Sequence, residues 1–172
     1  MESDNQIDQD NRKTTYFNRF LGRIDKRPDS DFEFKYVDSN PYEISYACLL
    51  IPRFHNHLLV GDITSYLTDW MQKICISFAW KLEMIDIQPA YFHWGMSVSM
   101  TNSPAQFIRN IRKSTSSQIF EEFPRYRKDN QSDDFWAPAN LILAGKQPHP
   151  APMIEEFINI ARSQQGFNFW KR

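Results

Sequence analysis

His55 and His57, in the stretch FHNHLLVG, stand one residue apart. Alternate side chains of a strand point to one side, so His-x-His is the shortest way to aim two imidazoles at one metal ion. The surroundings of this pair argue for something plainer. Asn56 between them is wrong for a buried strand. The segment also runs from Pro52, which closes a strand, to Gly61–Asp62, which opens a helix. Both histidines therefore read as connector residues making polar contacts at the strand end. A further histidine, His93, follows Tyr91 by two residues in YFHWGMSVSM. A phenol and an imidazole on one side of a strand can bond to each other or to a ligand, but they make a poor site for a hard divalent ion. Two groups of cations complete the set. Arg109, Arg112 and Lys113 share a helix face, and Arg125, Arg127 and Lys128 surround Tyr126 in the charged loop beyond it. Such cations suit phosphate oxygens, and an interleaved aromatic suits an unpaired base. A solvated face reads equally well, and Glu121, Glu122, Asp129, Asp133 and Asp134 lie close by.

The elements that must position these groups follow from spacing. A length of 172 residues suits one domain with a real core. A net charge of -1 excludes a histone-like polyanion binder and leaves room for a local basic patch. Cys48 and Cys75 lie far apart in apolar segments and read as reduced core thiols of a cytoplasmic protein. No leader-like N-terminus is evident, and no apolar run reaches the about 18 residues of a membrane span. Residues 1–31 read as a flexible polar arm. Within it, Thr14–Ile24 has helical spacing and would dock on the domain or on a partner. Residues 32–165 form the domain, and 166–172 an aromatic, basic tail with Phe167, Phe169, Trp170, Lys171 and Arg172.

Within the domain, Tyr42–Ile51 predicts a buried strand. A helix follows from Asp62, as N-cap, to about Ala79, with Ile63, Leu67, Trp70, Met71, Ile74 and Phe78 as its apolar stripe. Trp80–Gln88 and Tyr91–Met100 predict two more strands. Ser103 and Pro104 cap and open a helix in which Phe107, Ile111, Thr115, Ile119 and Phe123 share a face. Phe135–Gly145 predicts a fourth strand, at an edge or bulged because of Pro138. After KQPHPAP, a last helix spans about Pro152 to Gln165. The class is α+β: a ferredoxin-like β-α-β-β-α-β antiparallel sheet with helices on one face, plus a C-terminal helix. The other face of such a sheet needs covering by a ligand, a partner or a second copy.

The element order, and the wording FIRNIRKSTSSQIFEEFPRYRK followed by FWAPANLILAG, resemble the single-tyrosine HUH transposases, including the REP-associated group. The resemblance runs from Tyr42 to about Gln165. It implies two histidines flanking a hydrophobic residue on a strand, a divalent metal that polarises a phosphate of single-stranded DNA, a tyrosine nucleophile on the last helix, and a polar metal ligand one turn later. Those positions fall here on Tyr91, His93, Phe157 and Ala161. One histidine is missing, phenylalanine has no oxygen to attack with, and alanine cannot bind metal. Phe157 and Ala161 also fit the apolar stripe of their helix, with Ile154 and Ile158. Tyr91 and His93 are either satisfied structural groups or a retained nucleic-acid contact.

The expectation is thus a domesticated, catalytically inactive relative with no cofactor. It would bind hairpin or single-stranded DNA or RNA through Arg109, Arg112, Lys113, Arg125, Tyr126, Arg127 and Lys128, as a regulator or accessory subunit. The resemblance further implies a homodimer. One rival is a scaffold subunit that binds protein through the arm or the tail. Another is an active enzyme with a displaced site, using Tyr91 or Tyr126 with metal on His93.

Overall fold

The computed structural model describes residues 42–166. The expected arm, its helix at Thr14–Ile24 and the tail beyond Gly166 lie outside the described residues.

Strand β1 (Glu43–Pro52) leads through the FHNH connector to helix α1 (Asp62–Ser77). Strands β2 (Lys81–Gln88) and β3 (Tyr91–Ser99) form a hairpin across Pro89–Ala90. Helix α2 (Pro104–Glu122) passes at Pro124 into a short helix α3 (Pro124–Asp129). Strand β4 (Trp136–Ala144) and helix α4 (Ala151–Gln164) complete the fold. The strands lie in the order β2-β3-β1-β4, and every neighbouring pair is antiparallel. This is the ferredoxin-like arrangement. Proline-bearing β4 is at an edge, where a missing N–H costs no ladder bond, and its register against β1 shifts between Leu50 and Pro52.

Two termini depart from expectation. Gly61 caps α1 instead of Asp62, with φ 73°, a conformation glycine adopts without strain, and Asp62 becomes the first helical residue. Arg125–Lys128 lie on α3 and not in a loop, because Pro124 restarts helix as soon as Phe123 breaks it. The Ser103 cap forms as expected, its hydroxyl accepting from the Gln106 N–H at 3.3 Å.

Alternation splits the sheet into two faces. Cys48, Leu50, Phe92, Trp94, Met96 and Val98 point toward α1 and α2. There they join Leu67, Met71, Phe107, Ile111, Phe135 and Trp136 in the main core. Leu49 and Ile51 point the other way and form a second cluster with Ala137, Ile154 and Ala161. The far face is therefore not left for a partner over β1 and β4. Helix α4 of the same chain folds back on it, since an amphipathic helix following an edge strand buries its stripe on the nearest apolar surface.

Candidate functional site

The far face of β3 presents Tyr91, His93, Gly95 and Ser97 in turn. His93 lies opposite Leu49 of β1 on one side and Asp86 of β2 on the other. Tyr91 of β3, and Phe157 and Ile158 of α4, each pack against the second cluster, and Ala161 lies within it. Tyr91, Phe157 and Ala161 thus share one cluster, and His93 lies on the same side of β3 as Tyr91. Their surroundings are mostly apolar. Burial raises the Tyr91 pKa, helped by the charge of Asp86 and a hydrogen bond to it. Asp86 also accepts from Gln88 Nε2 at 2.7 Å.

Tyr91 and His93 do not pair with each other. The partner of His93 is His149, from the loop ahead of α4: its Nδ1 lies 3.0 Å from His93 Nε2, and its main-chain N–H 3.4 Å from the same nitrogen. Both rings are buried, at 2% and 4% exposure. Burial lowers both pKa values; that of His149, with His93 beside it, falls to about 4. The sequence reading missed His149, although its place in Pro148-His149-Pro150, just before a helix, was a signal of a fixed side chain. The other end of α4 is also tied down. Arg162, itself buried, donates from Nη1 to the Arg53 carbonyl at 3.0 Å, and Gln165 Nε2 donates to the same oxygen at 3.1 Å.

The basic residues divide by what already holds them. Arg112 is largely buried and donates to Asp134 from Nε at 3.0 Å and from Nη2, which also reaches the Trp136 carbonyl. Arg127 pairs with Asp133 at 2.9 Å and lies over the Phe120 ring. Arg125 lies over the Tyr126 ring, 4.8 Å from its centroid. Tyr126 is itself 6% exposed, and its hydroxyl donates to the Leu58 carbonyl. Its ring faces His57 and Phe135, so no face of it is open for a base. Arg109, Lys113 and Lys128 are exposed.

Arg109, Arg112 and Lys113, at positions i, i+3 and i+4 of α2, line one groove of about 950 Å³ between that helix and β4. Ile108 and Ile142 contribute apolar surface to the groove, and Asn140 and Asp133 contribute polar groups. Arg125 and Tyr126 line a separate depression with His57 and Asp129. The two basic groups therefore do not form one surface in a single groove.

His57 is buried, stacked on Phe135 with ring centroids 5.8 Å apart, and its Nε2 lies 3.4 Å from Asp129. It is a packed core histidine in the connector between β1 and α1.

The sequence model of the family described as "Transposase IS200 like" matches residues 40–161. No curated protein matches the chain. Among solved structures, a candidate transposase from Deinococcus radiodurans R1 is similar with a TM-score of 0.62 at 18% identity, over 80% of this chain and 98% of that one. A REP-associated tyrosine transposase bound to a REP hairpin aligns with a TM-score of 0.45 at 12% identity, over 81% of this chain and 76% of that one. With the family match spanning all four strands and most of α4, the chain belongs to the IS200-like transposase family.

Proposed function

We propose that this protein grips hairpin or single-stranded nucleic acid, DNA or RNA, without cutting it. The observation that carries the grip is the groove beside α2. Three cations from one helix line it, its lining is partly apolar, and it runs along β4, an edge strand among the described residues. Arg109 and Lys113 take phosphates, while Arg112, fixed by Asp134, keeps the wall rigid.

Loss of cutting is supported by the donors on the far face. A hard divalent ion prefers several oxygen ligands. Here Tyr91 offers one phenol oxygen, beside Asp86, Ala161 offers none, and Nε2 of His93 is engaged by His149. The residues present do not fit that ion. Phe157, at the place of the nucleophile, has no oxygen.

Fluorescence anisotropy with labelled hairpin and single-stranded oligonucleotides across a salt series tests the grip. Binding should weaken steeply with salt. Arg109→Glu with Lys113→Glu, both at exposed positions, should lower affinity at least about tenfold and flatten the salt slope by about two. A shallow slope in the unaltered protein, or no binding near physiological salt, contradicts the proposal.

A further inference from the structure

The contact between His149 and His93 joins the start of α4 to the strand on which the resemblance expects a metal site. We infer that His149 caps His93: a ring N–H of His149 occupies the Nε2 lone pair of His93, leaving it no nitrogen for a metal ion and tying α4 to the centre of the sheet instead. This rests on the reading of β3 as the former metal strand, and it is independent of the nucleic-acid grip.

The direction of the bond follows from counting protons. A neutral imidazole has one N–H and one lone pair. The main-chain N–H of His149 faces His93 Nε2 at 3.4 Å and can only donate. Nε2 of His93 is therefore the acceptor. Its one proton must sit on Nδ1, which then has no lone pair. The approach of His149 Nδ1 to the same acceptor, at 3.0 Å, requires that Nδ1 carry the proton. Both rings are then Nδ1–H tautomers, the reverse of the Nε2–H form that a free imidazole prefers. The only ring lone pair left over is on His149 Nε2, which is buried and has no hydrogen-bond partner.

The surroundings favour this neutral, fixed pair. Both rings resist protonation because of burial. Pro148 and Pro150 restrict the loop on either side of His149, so little freedom is lost in placing its ring. With Arg162 and Gln165 holding the other end on the Arg53 carbonyl, α4 is anchored at both ends over the second cluster. A helix that would present a nucleophile has become a cover for the sheet.

Long-range proton–nitrogen correlation on the ¹⁵N-labelled full chain at neutral pH reads both tautomers directly. The expected spectrum has Nδ1 protonated and Nε2 pyridine-like in His93 and in His149, and added Zn²⁺ leaves the His93 Nε2 resonance in place. A protonated His93 Nε2, or a Zn²⁺-dependent shift of that nitrogen, overturns the inference. His149→Ala should return His93 toward the Nε2–H form, and His149→Phe, which keeps a ring but no donor, should do the same. An unchanged His93 tautomer in a folded variant overturns the cap. If neither variant folds, the unaltered protein's spectrum decides. Failure to bind an oligonucleotide would not move these resonances, so the two readings fail separately.

Discussion

Asp134 governs more of the basic face than any cation on it. It accepts from Arg112, from the Ser116 hydroxyl at 3.2 Å and from the Trp136 N–H at 3.0 Å, while its carbonyl accepts from Asn130 and Arg53. Asp134→Ala would leave the Arg112 guanidinium mostly buried without its carboxylate. It should cost about 3 kcal/mol in urea unfolding, whereas Asp133→Ala, whose exposed carboxylate meets only Arg127, should cost under about 1 kcal/mol. His57 carries a second prediction. Its pKa is lowered, by burial first, against the opposing pull of Asp129. The unfolded chain then binds a proton that the folded chain refuses. Stability is full above the ordinary imidazole range and is lost as pH falls through it toward the folded value, by at most about 1.4 kcal/mol per pH unit. His57→Phe keeps the stacking on Phe135 and removes that proton, so its unfolding free energy should depend less on pH below about 6.5, with His93, His149 and, at lower pH, Glu83 still contributing. Residue types and spacing were legible at this scale, and partners were not. The i, i+3, i+4 cations could be read on α2. That Asp134, 22 residues further on, would hold one of them depends on how β4 docks, and no local pattern encodes that.

The elements were the most legible part, because period and punctuation act locally. Pro138 marked the edge strand and Ser103–Pro104 opened α2, and the unbroken apolar run Ala47–Ile51 marked a strand buried on both faces. What alternation alone did not show is that the far face would be covered by α4, since the stripe of that helix fits a partner's sheet as well as its own. Gly95 in the middle of β3 is the element's sharpest constraint. A Cβ there would lie 2.8 Å from Met84 Cγ, on the bulged strand next door. Gly95→Ala should therefore cost about 1–3 kcal/mol as Met84 is pushed aside, and Met84→Ala in the same chain should relieve part of it, which a double-mutant cycle by chemical denaturation would read.

At the scale of the whole molecule, the split β-α-β sheet is kept with a full core on one face and a second cluster on the other. The proposed loss of cutting rests on that second face, where Tyr91, Phe157 and Ala161 stand at positions to which the resemblance assigns the chemistry. If the loss is distributed as described, restoring one group is not enough. Phe157→Tyr places a phenol on α4, and on the proposed reading it gives no cleavage, because Tyr91 and Ala161 still stand where the resemblance expects metal ligands and His93 Nε2 is engaged by His149. The most direct measurement uses one end-labelled hairpin oligonucleotide with a single-stranded flank, incubated with the protein and with Mg²⁺ or Mn²⁺, and run on native and denaturing gels side by side. The expected outcome is a retarded complex on the native gel that releases intact oligonucleotide in denaturant, for the unaltered protein and for Phe157→Tyr alike. Label that stays covalently on the unaltered protein in denaturant, or no complex on the native gel, would contradict it.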